Sequence, residues 1–273
     1  MIRAHRGSNL LEHPALIRKG IFSSHEAARI LGWSLKEIHP ILFRLVKKGK
    51  LARIKRGLFC IQPPGNSGLT RSGYSQNWLL IAKALAGNNP YFISYYSAMQ
   101  LHAMTGQSIQ TVFMSLPVQF RLPNQLQIPI HFVTISPKRF WGLEEKWVTQ
   151  EAKVWVTDKE RTVLDILDRP DLAGGFSEIC RALWMIRNDI DSSKLIAYAK
   201  RFASYAAAKR LGFIMEEMSI GQGNDIEKLS HFIKSSSSYA LLDPTAKKTG
   251  CYLKDWHLLV NQDITLIKRN LIT

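Results

Sequence analysis

Leu10, Leu11, Ala15, Leu16 and Ile17 fall on one side of a helical wheel, so the spacing predicts a first helix with Lys19-Gly20 as its basic C-terminal turn and stop. In IFSSHEAARILGWS, Ser23 or Ser24 caps a short helix whose Ala27, Ala28 and Leu31 face inward, and Gly32 ends it. Ser34 then opens a second helix, with Glu37 completing a capping box. Ile38, Ile41, Leu42, Leu45 and Val46 repeat at helical spacing up to Gly49. Pro40 lacks a backbone donor, and the pattern therefore predicts a kink there or a regular helix delayed to its vicinity. LARIKRGLFCI alternates around Gly57 as a two-stranded hairpin, with Leu51, Ile54, Phe59 and Ile61 turned to a core and Arg53, Lys55 and Arg56 left at the edge and tip. Pro63-Pro64-Gly65 closes the unit. Helix, turn, helix and charged hairpin is the layout of a winged helix.

After it, GNSGLTRSG reads as a linker, which sets the expected organisation: a winged helix-turn-helix domain over residues 1–66, a linker over 67–75 and a larger domain over 76–273. In the larger part, a helix is expected from about Gln76 to Ala86, and another up to about Met104 with Ser94 or Ser97 as its cap. TVFMSLP, IPIHFVTIS and EAKVWVT have the branched and aromatic content of strands, with Glu144 and Glu145 in a turn before the last of them. A capping box from Thr157 to Glu160 opens the helix ending at Pro170, and helical patterns follow through FSEICRALWMIR, SSKLIAYAKRFASYAAAKRLGFIMEEMS and DIEKLSHFIKSS. The fold class is mixed α+β, with the second domain α/β first and mainly helical at its end.

Composition supports a folded two-domain protein: 273 residues, 46% hydrophobic and 21% charged. No apolar run reaches membrane-spanning length, and MIRAHRGSNLLEHP lacks the apolar region of a signal peptide, so the expected location is the cytoplasm. Cys60, Cys180 and Cys251 are too few and too far apart for a disulfide framework or a zinc site.

Charge changes the picture more. The formal net charge is +16, and from Ile38 through Leu143 there are twelve Lys and Arg with no Asp or Glu. Such a field attracts a polyanion. A solubility face would interleave both signs, and the apolar residues here are spent on a core rather than on a membrane. Lys36, His39, Phe43 and Arg44 are the candidate base readers, only Arg44 having the fork for guanine. Lys47, Lys48, Lys55 and Arg56 suit phosphate, and Ser34 and Arg53 complete the DNA-binding set.

The case for an enzyme is thinner. Glu151-Ala152-Lys153 matches half of a nuclease metal site, which needs a further acid on a neighbouring strand, and only Glu144 and Glu145 are near. His102 and His131 have no nucleophile elbow, while Gly174-Gly175 and Gly221-Gln222-Gly223 lack phosphate-loop patterns. Asp165 and Asp168 read as ordinary surface pairing with Arg161 and Arg169, and Tyr91, Phe92, Tyr95 and Tyr96 as core. No catalytic residue, metal ligand or cofactor is assigned.

Four blocks in order, RGLFCI, ISYYSAMQLHAMTGQ, ERTVLDILDRPDLAGGFSEICRAL and LLDP followed by WHLLVN, resemble the AbiEi abortive-infection antitoxins of type IV toxin-antitoxin systems. The likeness runs over nearly the whole chain, and its C-terminal blocks are more specific than its wing. It implies a winged helix that represses its own operon by binding inverted repeats in double-stranded promoter DNA. It also implies a C-terminal domain that counteracts a nucleotidyltransferase-like toxin, AbiEii. Arg161, Asp165, Asp168 and Asp171 lie in the most family-like block, as residues that hold the domain together or face the toxin. Two copies per operator would match an inverted repeat. The alternatives are a DNA-targeted metal-dependent nuclease and a plain transcription factor with a ligand-sensing second domain.

Overall fold

The computed structural model describes residues 2–62, 78–108, 111–120, 129–221 and 223–272. The expected linker at 67–75, and with it the boundary of the first domain, lies outside these residues.

The N-terminal unit runs α1 (Ile2–Glu12), α2 (Pro14–Lys19), β1 (Ile21–Ser23), α3 (Ser24–Leu31), α4 (Leu35–Lys47), β2 (Leu51–Lys55) and β3 (Leu58–Ile61). The single first helix expected up to Gly20 is in fact two. Pro14 cannot donate to the preceding turn and holds His13 extended, and the His13 ring accepts from the Ala15 amide at 3.3 Å to cap α2. Both helices of the helix-turn-helix carry complete capping boxes, Ser23 with Glu26 and Ser34 with Glu37. Pro40 neither kinks nor delays α4 enough to break it, and the helix continues to Lys47. β1 was not expected; it pairs Phe22 with Phe59 and closes an antiparallel sheet in the order β1-β3-β2. Leu10, Leu16, Phe22, Ile38, Leu42, Leu45, Leu51 and Phe59 form the core of this unit.

The second part begins with α5 (Trp78–Ala86), β4 (Phe92–Ile93), α6 (Tyr95–Leu101), β5 (Val112–Leu116), β6 (Ile130–Thr134), β7 (Leu143–Thr149) and β8 (Ala152–Thr157). Its five strands make one mixed sheet in the order β6-β5-β4-β8-β7. Glu144 and Glu145 are therefore strand residues rather than turn residues, because β7 pairs antiparallel with β8 through six residue pairs. Helices follow: α7 (Lys159–Asp168), α8 (Phe176–Ile186), α9 (Ser192–Phe202), α10 (Tyr205–Glu217) and α11 (Gly223–Ile233). Asp158, not Thr157, caps α7, accepting from the Arg161 amide at 2.8 Å. Ala203 in a left-handed turn and Ser204 as a cap separate α9 from α10. A small sheet of β9 (Ala240–Leu241), β10 (Cys251–Leu253) and β11 (Leu258–Val260) precedes α12 (Ile264–Ile272). Tyr91, Phe92, Tyr95 and Tyr96 are all buried, as expected of core residues. Among the described residues no helix is long and apolar enough to cross a membrane.

The wing joins the two parts. Ile54, Leu58 and Cys60 belong to the same core as Ile81, Leu85, Ile93, Met114 and Val156 of the second part, while Leu51 and Phe59, on the other face of the same hairpin, pack into the first. The wing buries apolar residues on both of its faces, and the two parts of the chain are joined through it. Ile54→Ala, at a fully buried position, is expected to cost about 2–5 kcal/mol. Thermal unfolding should show one transition, moved down as a whole. An early transition confined to the N-terminal unit, with the second part melting at its original temperature, would show that the shared core carries no coupling.

Candidate nucleic-acid interface

α4 is two-sided. Ile38, Ile41, Leu42 and Leu45 are buried against α1 and α3, which leaves Lys36, His39, Pro40, Phe43 and Lys47 exposed along the opposite ridge. Ser34 is spent in part on its capping box: its hydroxyl accepts from the Glu37 amide and donates to the Glu37 carboxylate at 2.9 Å. Arg44 is half-buried beside this ridge and sits with Lys47 in the last turn, where cations complement the helix dipole; Lys48 follows as the C-cap.

The wing places Arg53 and Arg56 outward, both exposed, around a turn in which Gly57 adopts φ +75°. That turn is fixed to the helix-turn-helix by the Ser24 amide, which donates to the Gly57 carbonyl at 2.8 Å. Lys55 differs from its neighbours. Its ammonium donates to the Leu85 carbonyl at 3.0 Å, in the last turn of α5, so it ties the wing to the second part of the chain and keeps only its remaining donors for a ligand. Between α4 and the wing lies a cleft of about 890 Å³, walled by His39, Phe43 and Val46 on one side and Arg53, Arg56 and Leu58 on the other, with Ala84 of α5 at its edge. Of the sequence-predicted DNA-binding set, His39, Phe43, Arg53, Lys55 and Arg56 line this cleft, while Ser34, Lys36, Arg44, Lys47 and Lys48 lie outside its walls. Ala84 and Leu85 were missed, because only the docking of α5 brings them there.

The second set of candidates is mostly internal, which corrects the expectation of surface pairing. Arg161 is 1% exposed. Its Nε donates to Asp165 at 3.0 Å, its Nη1 donates to the carbonyls of Arg139 and Trp141 at 2.8 and 2.9 Å, and the guanidinium lies 4.4 Å from the centre of the Trp141 ring. Asp165 is buried too, and burial pushes its carboxyl up to about 6 in spite of Arg161 beside it. Asp168 accepts from Arg139 at 2.9 Å and from Ser204 at 2.6 Å, tying α7 to the cap of α10. Asp171 makes a two-pronged pair with Arg169 at the surface. Arg161 therefore ties α7 to the segment before β7, with Asp165 as its buried partner, Asp168 ties α7 to α10, and of the four Asp171 is the one with a local surface partner alone.

The half-site for a nuclease does not assemble. Glu151 lies in the turn between β7 and β8, 3.7 Å from Arg18, while Lys153 pairs with Glu145 at 3.5 Å across the hairpin. Among the described residues no three His, Cys, Asp or Glu converge as metal ligands.

Comparison with known proteins agrees with the N-terminal geometry. Residues 14–62 match the family model described as "Transcriptional regulator, AbiEi antitoxin", a span from the first residue of α2 to just beyond β3. Over this span the winged helix is similar to AbiEi antitoxins and transcriptional regulators. The match falls on the winged helix and not on the C-terminal blocks that resembled the family more specifically. No curated protein sequence matches the chain. Over its full length the fold is similar to that in the crystal structure of the RV2827C protein from Mycobacterium tuberculosis, with a TM-score of 0.69 at 15% identity, covering 100% of this chain and 96% of that one.

The Asp165 environment has a pH signature. A folded-state carboxyl near 6, against about 4 in the unfolded chain, binds its proton more tightly when folded. Its contribution to stability is present below about pH 4 and is lost as pH rises through about 6. Asp165→Asn should remove this loss. In thermal melts between pH 4 and 7, the destabilisation of the variant relative to wild type should be greatest at the acid end and shrink towards neutrality. An offset constant with pH would mean that Asp165 titrates normally in the fold.

Proposed function

We propose that the protein is the antitoxin of a type IV toxin-antitoxin system that represses its own operon through the winged helix. In this reading α4 enters the major groove of promoter DNA, presenting Lys36, His39, Phe43 and Arg44 to base edges. Lys47, Lys48, Arg53 and Arg56, with the donors left to Lys55, engage phosphates and set the register. Two copies occupy the halves of an inverted repeat, since one such face reads too few bases to stand out among competing sites. The second part of the chain counteracts a nucleotidyltransferase-like toxin, and the protein works on DNA in the bacterial cytoplasm. The observation that supports this best is the meeting of His39 and Phe43 of α4 with the two wing arginines around one cleft, inside the module that matches AbiEi regulators.

Fluorescence anisotropy against the DNA directly upstream of the gene and against a scrambled duplex, over a salt series, tests the DNA half. Tighter binding to the upstream duplex is expected, with a steep fall in affinity as salt rises. Arg53→Ala with Arg56→Ala should weaken both duplexes alike and reduce the slope of log K against log salt by roughly 1.8, the share of two phosphates. Equal binding to both duplexes by the wild type would remove the operator reading, and an unchanged slope would remove the wing from the contact. In cells the same variant should lose repression while still protecting against the co-expressed toxin. Loss of protection in a protein that remains folded would overturn the division of labour.

A further inference from the structure

Phe43 stands out on the ridge of α4. It is 72% exposed, more than any other large hydrophobic side chain among the described residues, and it belongs to none of the hydrophobic cores. The fold gains little from it. It lies one turn beyond His39 and one turn before Lys47, and its ring forms a lip of the cleft that Arg53 and Arg56 border from the other side.

A benzyl group has no donor or acceptor for a phosphate or a polar base edge. In the major groove one group suits it, the 5-methyl of thymine, which marks that base apart from cytosine and both purines. The surroundings choose the same kind of partner: Arg53 and Arg56 across the cleft from this apolar ring, with Lys36 and Lys47 exposed on the same helix, complement a polyanion with a methyl on its surface, and a wholly apolar protein face would leave those charges unmatched. Resting on the DNA-binding reading above, we propose that Phe43 is a specificity-determining residue that reads thymine, its ring packing against the 5-methyl group of a thymine in each half-site.

Replacing thymidine by deoxyuridine throughout the upstream duplex removes those methyl groups and leaves every hydrogen-bonding edge in place. The full-length wild-type protein should bind the deoxyuridine duplex about three- to tenfold more weakly, the scale of burying one or two methyl groups. Phe43→Ala should bind the thymidine duplex more weakly than wild type and should not distinguish the two duplexes, which separates the side chain's effect from any change in DNA shape. Phe43→Leu, still apolar, should keep much of the preference. All three proteins should share one salt slope, because no charge changes. A wild type indifferent to the methyl groups, or a Phe43→Ala variant with an undiminished preference, would overturn the assignment of Phe43 and leave the salt-steep DNA contact standing. Failure of the wild type to prefer upstream over scrambled DNA would overturn both.

Discussion

The wing hairpin buries apolar side chains on both of its faces, and most of the molecule's organisation follows from that. In β3, Phe59 faces the helix-turn-helix core while Leu58 and Cys60 face the second part of the chain; in β2, Leu51 and Ile54 divide in the same way. A strand apolar on both faces belongs between two layers. A wing of this composition standing free in solvent would expose a contiguous apolar surface of the kind that marks an interface. Docking on α5 removes that surface, and the hydrogen bond from Lys55 to Leu85 fixes the join at the charged end of the hairpin. The wing arginines are consequently held on a rigid support, in place with respect to α4 and to α5 together.

That rigidity bears on the charge distribution. The cations of α4 and the wing, from Arg44 to Arg56, repel one another, and a flexible tip would let them spread apart. Here the Ser24–Gly57 hydrogen bond pins the turn between Arg56 and Leu58, while α4 carries Arg44 and Lys47 at the end of its dipole that favours them. The repulsion remains, and a polyanion relieves it. In the second part the opposite arrangement holds. Arg161 is paired with Asp165 and Arg139 with Asp168, so buried and half-buried cations there serve the packing of α7 against its neighbours.

Much of the first unit was legible in the sequence because its signals are local. The Ser34–Glu37 capping box, the apolar ridge of α4 and the turn at Gly57 are each set by residues within a few positions of one another, and each forms as expected. What escaped depends on partners far away in sequence. β1 has three residues and no period to detect, and it exists because Phe22 meets Phe59. β7 hides its alternation by carrying Trp147 on its exposed face, opposite Lys153. Arg161 and Asp165 have the i, i+4 spacing of a surface pair, and only the rings of Trp141 and Phe202 closing over them make the pair internal. The run LFCI did contain a warning, since its unbroken apolar character asks for two buried faces and the hairpin reading supplied one.

Pro40 shows how the recognition face tolerates a break in local rules. At an interior helix position it forfeits the bond to the carbonyl four residues earlier, a loss of about 3 kcal/mol in an isolated helix. Ile38, Ile41 and Leu42 bracket it and are all buried, so packing holds the backbone where the ladder does not. Because the stabilising contacts lie on the inner side, the outer side is left without structural duties. His39, Pro40 and Phe43 occupy that side, and the choice of a bulky exposed aromatic there cannot be traced to the demands of the helix itself. A side chain free of structural work, on a helix whose position is fixed from within and flanked by cations on two sides, is free to be selected by what it touches outside.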